Sequence, residues 1–277
     1  MKSELEPGLP SLASVVHALQ ANKRLGQHFL IDSKLCERIA ACAGDLSGRT
    51  VFEIGPGPGG LTRALLQRGA FVHAFEQDPR CSAALAPLQD LYAPRLQIHW
   101  EDALQGDFRT FLSAEDAKPF VVANLPYNIA TPLLLRWLPI VPLFERFVLM
   151  FQKEVADRLC APPRTKSYGS LSVLTQTQAE VTAEFSLAPG AFVPPPRVHS
   201  TVVRLDPKGS ALSPDRYALL EKMTKNAFSS RRKMIRNALP FLSEEEWRVL
   251  GIPSCSRAEE LTVSQYLSLV GCQSHKI

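Results

Sequence analysis

The residues best suited to chemistry are Asn124-Leu125-Pro126-Tyr127, directly after the apolar run Phe120-Val121-Val122-Ala123. That run predicts a buried strand, which puts the tetrapeptide at a strand's end. The Asn oxygen and a neighbouring backbone carbonyl can accept hydrogen bonds from an exocyclic amine. The Tyr ring can stack on the base carrying that amine, and Pro126 fixes the turn that presents both. Asn and Pro are equally common in ordinary strand-to-loop turns, so the tetrapeptide alone leaves both readings open.

A second group of residues precedes it. Thr50-Val51-Phe52-Glu53-Ile54 predicts a buried strand, Gly55-Pro56-Gly57-Pro58-Gly59-Gly60 a glycine turn and Leu61–Leu66 a helix. Strand, glycine turn and helix open the nucleotide-binding half of a doubly wound sheet. The next strand, Phe71–Phe75, ends in Glu76, 21 residues beyond Gly55, where an acid can take both hydroxyls of an adenosine ribose. A third, Leu96–Trp100, ends in Glu101-Asp102, and Asp102 can accept a hydrogen bond from an adenine amine. Gly55, Gly57 and Gly60 satisfy a literal G-x-G-x-x-G, so a nicotinamide or flavin dinucleotide is one candidate. Glu53 ahead of the glycines suits a cofactor with a cationic amino-acid end better than a pyrophosphate. S-adenosylmethionine, with a free amino group, a sulfonium and no phosphate, is the expected cofactor.

The elements that must position these groups follow from the rest of the chain. It has 277 residues, 45% hydrophobic, enough for one large domain and a smaller one. A net charge of +4 points only weakly to nucleic acid, so the placement of the basic residues matters more than their total. Cys36, Cys42, Cys81, Cys160, Cys255 and Cys272 form no C-x-x-C pair and are expected to be reduced thiols of a cytoplasmic protein, with no metal site. No stretch approaches the roughly 18 apolar residues of a membrane span, so no membrane partner is expected. Residues 1–22, with Glu4, Glu6, Pro7 and Pro10, fit neither a signal peptide nor a presequence and are expected to be a floppy or weakly helical extension.

Lys23–Leu30 is expected to be an ordered arm before a helix capped at Asp32 or Ser33. Helices are predicted over Thr131–Leu138, Gln152–Leu159 and Leu171–Gln178, and strands over Arg146–Phe151, Val181–Leu187 and Ser200–Leu205. Phe192, heading the stiff loop Phe192-Val193-Pro194-Pro195-Pro196, either closes a base pocket opposite Tyr127 or packs under its own loop. Beyond the turn-rich junction Asp206–Ser210 only helical patterns occur, which sets a domain boundary near residue 207. Within 214–239, Lys222, Lys225, Ser229, Arg232 and Arg236 step by three and four along one helical face, although Ser229-Ser230 can break the register. The face lacks interleaved acids, which leaves phosphate contact and a merely solvated stripe as equal readings.

The chain resembles the ribosomal RNA adenine N6,N6-dimethyltransferases of the bacterial small-subunit type, over nearly everything from Lys23 onward. The likeness rests on Gly26-Gln27-His28-Phe29-Leu30, Glu53-Ile54-Gly55-Pro56-Gly57, Glu76, Asp102, Asn124-Leu125-Pro126-Tyr127, Gln152-Lys153-Glu154-Val155, Phe192–Pro196 and Arg231-Arg232-Lys233. It implies a Rossmann-like α/β domain over 23–207 that binds S-adenosylmethionine, and a small all-helical domain over 208–277 that contacts RNA. It further implies that His28, Leu30 and Gly55 flank the cofactor, Glu76 binds the ribose, Asp102 the adenine, and that Asn124 bridges cofactor and target. Many relatives have Asn where this chain has His28; either can hydrogen-bond the cofactor's polar end, and beside a sulfonium the imidazole is expected to be neutral. Glu53 and Gly57 complete the expected cofactor set, and Asn124, Leu125, Pro126, Tyr127 and Phe192 the expected catalytic set. Lys222, Lys225, Arg231, Arg232, Lys233 and Arg236 are the expected RNA contacts. The implied partner is small-subunit (16S) rRNA in a pre-ribosomal particle, met by a monomer. The large-subunit rRNA methyltransferases, the DNA adenine methyltransferases and a ribosome-assembly factor with methylation secondary are the rival readings.

Overall fold

In the computed structural model, which describes residues 9–22, 25–112, 117–209, 212–230 and 233–274, the apolar runs pair side by side into one sheet. The first half of the chain alternates helix and strand: α1 (Leu12–Leu19), β1 (Phe29–Leu30), α2 (Ser33–Ala41), β2 (Thr50–Ile54), α3 (Gly60–Gln67), β3 (Phe71–Glu76), α4 (Ser82–Tyr92), β4 (Leu96–Trp100) and β5 (Phe120–Ala123). Then come α5 (Tyr127–Trp137), β6 (Arg146–Gln152), α6 (Lys153–Leu159), α7 (Ser170–Gln178), β7 (Ala179–Leu187), β8 (Phe192–Val193) and β9 (Ser200–Pro207). Helices close the described chain: α8 (Pro214–Phe228), α9 (Ile235–Ala238), α10 (Glu244–Val249) and α11 (Val263–Ser274).

The strand order is β4-β3-β2-β5-β6-β9-β7. Strands β2 to β6 run parallel, Val51 beside both Val72 and Phe120 and Val121 beside Phe147, while β9 lies antiparallel to β6. Parallel strands are covered on both faces, which is why Val51, Phe52, Val121, Val122, Phe147 and Val148 are buried without alternation. From β2 the chain winds outward to β3 and β4, then returns to lay β5 on the other side. Crevices open at such a reversal, outside the carboxyl ends of the strands. Gly55 follows β2 there and Asn124 follows β5.

The chain divides into two compact units. The first comprises residues up to Leu134, Leu143–Lys153 and Ala183–Leu205; the second Leu135–Pro142, Glu154–Thr182 and the chain from Asp206 onward. The second unit takes in segments earlier in the chain as well as everything from Asp206 onward. In that unit Phe228 of α8 packs its ring against Tyr168 and Tyr266. Tyr168 donates its hydroxyl to the Leu261 carbonyl and Tyr266 to that of Ala258. Such long-range packing leaves no local pattern in the sequence.

Two segments differ from expectation. Residues 12–19, expected to be floppy or weakly helical, form a helix capped by the Ser11 hydroxyl, with Val15 and Val16 buried. Helix α5 starts at Tyr127, four residues before the expected start, so the aromatic of the tetrapeptide sits in the first turn of a helix.

Candidate active site

A cavity lies at the carboxyl ends of β2, β3, β4 and β5. Its walls include Gly55 and Gly57 from the glycine turn, Glu76 from the end of β3, Asp102 after β4, and Asn124, Leu125, Pro126 and Tyr127 after β5. His28 and its neighbours from Leu25 to Phe29 also line it. These groups, spread over about a hundred residues of chain, are assembled by the parallel register.

Glu76 is buried, and its two oxygens are engaged from the backbone: Gly57 donates to Oε2 at 3.0 Å and Asp78 to Oε1 at 2.8 Å. Burial raises the pKa of its carboxyl while these backbone donors pull it down. Each oxygen keeps a further lone pair for a ligand hydroxyl. Gly57 has φ +53°, and a Cβ there would meet the Phe29 ring at 3.0 Å. The backbone therefore approaches the cavity where a side chain has no room. Asp102 accepts from the Leu104 N–H at 2.9 Å, which orients its carboxylate at the turn after β4.

At the other wall, Asn124 donates Nδ2–H to the His28 carbonyl at 3.1 Å, leaving Oδ1 as an acceptor. His28 donates from Nδ1 to the Pro194 carbonyl at 2.7 Å, so that nitrogen carries its hydrogen. The His28 and Tyr127 rings lie 5.5 Å apart between centroids, and the Tyr127 hydroxyl hydrogen-bonds Ser200 at 2.5 Å. Burial raises the Tyr127 pKa, so the phenol stays neutral.

Two expected site residues line the core instead. Phe192 is 2% exposed and packs with Leu30, Cys36, Ile39 and Leu187, not opposite Tyr127. It pairs with Leu30 while Val193 pairs with Phe29, and strand pairing of β1 with β8 turns its ring inward. Leu30 belongs to the same core and does not line the cavity. Glu53 is also absent from the cavity wall; it is 1% exposed directly behind it. Burial pushes its carboxyl up to about 8; the Thr62 hydroxyl opposes the rise and the neighbouring Glu76 charge adds to it. Its Oε2 is without a hydrogen-bond partner among the described residues.

Sequence reasoning missed an aromatic wall. Phe75, which lines the cavity, meets Phe108, Phe111 and His99 with ring centroids 5.0, 5.2 and 4.8 Å away. His73 and His99 stack and share a 3.0 Å hydrogen bond between Nδ1 and Nε2. The Phe-x-x-Phe spacing of 108 and 111, on one turn of 3-10 helix capped by Asp107, was the available signal.

Of the expected RNA contacts, Lys222 and Lys225 are exposed on α8, while Arg231 and Arg232 lie outside the described residues. Helix α8 ends at Phe228, where the Ser229 hydroxyl donates to the Asn226 carbonyl at 2.7 Å. Lys233 and Arg236 therefore do not continue its face, and Arg236 lies 3.7 Å from Glu244, an acid supplied by α10.

The cavity's chemistry decides between the two cofactor classes. Its described lining holds Glu76, Glu101 and Asp102 and neither Lys nor Arg. A pyrophosphate would face three carboxylates; a cation would be welcome. The residues present fit S-adenosylmethionine.

Comparison with known proteins agrees. A sequence model described as "Ribosomal RNA adenine dimethylase" matches residues 18–273. A protein of Rhodospirillum rubrum named ribosomal RNA small subunit methyltransferase A is 49% identical over 267 residues, covering 95% of this chain and 92% of its own. One of the same name from Paramagnetospirillum magneticum is 50% identical over 268 residues, covering 94% of each. Among solved structures, a dimethyladenosine transferase of Plasmodium falciparum superposes with a TM-score of 0.72 at 24% identity, covering 90% of this chain and 98% of its own. The 23S rRNA methyltransferase ErmE superposes with 0.67 at 25% identity, covering 88% and 98%. With the family's pattern running from residue 18 to residue 273, the chain belongs to the ribosomal RNA adenine dimethylases, enzymes that draw their methyl groups from S-adenosylmethionine.

Proposed function

We propose that the chain dimethylates N6 of adjacent adenosines in a hairpin of small-subunit (16S) rRNA, acting as a monomer on a pre-ribosomal particle in the cytoplasm. The observation that carries this reading is the Asn124 amide, held by the His28 carbonyl so that Oδ1 is its free acceptor beside Tyr127. The half-identical relatives named for the small subunit favour that substrate over the large-subunit RNA of the more distant ErmE.

S-adenosylmethionine supplies an activated sulfonium methyl, so no nucleophilic side chain is required. Glu76 holds the ribose hydroxyls, Asp102 accepts from the cofactor's adenine amine, and Gly55 and Gly57 let the backbone come close. His28, whose Nδ1–H is held by the Pro194 carbonyl, serves its polar end. The target N6 is a poor nucleophile because its lone pair is delocalised into the ring. The Asn124 oxygen and the Leu125 carbonyl accept its two hydrogens, favour a tetrahedral nitrogen and aim the lone pair. The same acceptors stabilise the positive charge that develops on N6, whose proton then leaves to water. Tyr127 stacks the extruded adenine, held by Ser200 and flanked by His28, without Phe192. For the second methyl, one of the two acceptors has no hydrogen to take.

Residues 208–277, with the described helices α8 to α11, form the RNA-contacting part, with Lys222, Lys225, Arg231, Arg232, Lys233 and Arg236 as phosphate contacts. Asn124→Ala separates the role from the fold: methyl transfer to small subunits stops while cofactor binding stays. Near-normal transfer by that variant refutes the assignment.

A further inference from the structure

Leu25 to Phe29 line the cofactor cavity, yet only one end of this segment is held by strand pairing. Downstream, β1 pairs with β8, and His28 and Asn124 add their hydrogen bonds. Upstream, the segment is fastened to the first unit's sheet through side chains that meet at one residue, Asp78, which is 3% exposed. Gln27 donates Nε2–H to Asp78 Oδ2 at 2.9 Å, while its Oε1 accepts from the Asn22 N–H at 2.8 Å. Arg80 grips both oxygens of Asp78, Nε on Oδ1 at 2.9 Å and Nη2 on Oδ2 at 2.5 Å, and reaches the Gln20 carbonyl with Nη1 at 3.2 Å. The backbone N–H of Asp78 is the same group that holds Glu76 Oε1. One residue thus touches the arm with its side chain and the ribose carboxylate with its backbone.

We propose that Asp78 is a positioning residue for the cofactor, a latch that fastens Gln20, Asn22 and Gln27 to the end of β3 and sets the arm and Glu76 in register with each other. The proposal rests on the reading that Glu76 holds the ribose. Asp78 is held ionised by the Arg80 guanidinium, which keeps its carboxyl at about 2 despite burial. An ionised acceptor makes stronger hydrogen bonds than a neutral one, and an unpaired buried charge is costly, so the latch holds only when all its members are present.

Asp78 also caps the turn that follows it, accepting from the Arg80 N–H with Oδ1 at 3.2 Å. Asn caps as well as Asp, so Asp78→Asn keeps that role and removes the charge. The new amide must then point its NH2 either at Gln27 Nε2 or at Arg80, donor against donor. Gln27 cannot simply turn over to relieve this, because Oε1 serves Asn22. Gln27→Glu instead sets carboxylate against carboxylate. The double variant Gln27→Glu with Asp78→Asn exchanges the two groups. The carboxylate then at position 27 would accept from the amide NH2 at position 78 and from Asn22, and Arg80 Nη2, now facing that NH2, has only to turn to the position-27 carboxylate, whose Oε1 site lies 3.5 Å away.

The test uses the full chain and four variants: Asp78→Asn, Gln27→Glu, the double, and Glu76→Gln. Affinity for S-adenosylmethionine, kcat on small ribosomal subunits at saturating cofactor, and amide exchange of Leu25–Phe29 are measured on each. Each single latch variant is expected to weaken cofactor binding about tenfold or more. Its kcat is expected to change less than about twofold and Leu25–Phe29 to exchange faster, while the double recovers affinity and protection together. Glu76→Gln is expected to lose affinity without loosening the arm. Normal affinity in both single variants with Glu76→Gln impaired, or a double whose losses merely add, overturns the latch alone. Normal affinity in Glu76→Gln overturns the ribose reading and the latch with it.

Discussion

Asn124 donates its side-chain hydrogen to the His28 carbonyl across 96 residues of sequence, at 3.1 Å. The arm thereby decides which way the amide faces: with Nδ2 committed, Oδ1 is the atom that the proposed mechanism presents to the target amine. Replacing Asn124 with Ala removes that acceptor while leaving the Leu125 carbonyl. Loss of one fixed dipole of this kind lowers turnover by about 100- to 1,000-fold. Single-turnover transfer should show that loss, with affinity for the cofactor within a few-fold of wild type.

Tyr127 has two separable contributions. Its hydroxyl bonds Ser200, and its ring flanks the cavity beside His28. Tyr127→Phe keeps the ring and is expected to retain most activity. Tyr127→Ala loses base stacking, about 1–3 kcal/mol, and kcat/KM on rRNA should fall about 5- to 150-fold. Equal losses in the two variants would mean that the hydroxyl, not the ring, carries the role.

Glu53 makes the stability of the cofactor-free protein depend on pH. Burial pushes its carboxyl from 4.5 up to about 8, so between those values the folded chain holds a proton that the unfolded chain has lost. Its stabilising share is complete below about 4.5 and is lost as pH rises through about 8. Wild type should lose stability relative to Glu53→Gln over that window, with a slope approaching about 1.4 kcal/mol per pH unit. Urea unfolding of both at several pH values checks this; parallel curves would contradict it.

Lys222 and Lys225 are exposed on α8 and three residues apart. If both meet phosphates, Lys222→Gln with Lys225→Gln weakens RNA binding and lowers the slope of log affinity against log salt by about 1.4 to 1.8. Affinity for S-adenosylmethionine is expected to stay unchanged. Titrations across a range of salt concentrations distinguish this from a solvated stripe, which would leave the slope alone.

The central architecture was legible because β2, β3, β4 and β5 each read as a strand followed closely by a group that lines the cavity: Gly55, Glu76, Asp102 and Asn124. Glu76 and Asp102 were legible as the acids closing their strands, and Asn124 as the amide closing β5. Phe192 was not legible: its inward turn follows from pairing with Leu30, a partner 162 residues away. Nor was the division into units, since Tyr168 joins the second through the Leu261 carbonyl. The basic stripe was cut by a serine that caps α8. Local periodicity finds elements; which distant elements then meet is a tertiary fact.

The most direct test is labelled methyl transfer from S-adenosylmethionine to purified small ribosomal subunits that lack adenine dimethylation, with large subunits and duplex DNA in parallel. Label is predicted in small-subunit RNA alone, recovered as N6,N6-dimethyladenosine and lost with Asn124→Ala. Label in large subunits or DNA would contradict the proposed substrate, and cofactor binding without transfer to any of the three would contradict the proposed chemistry.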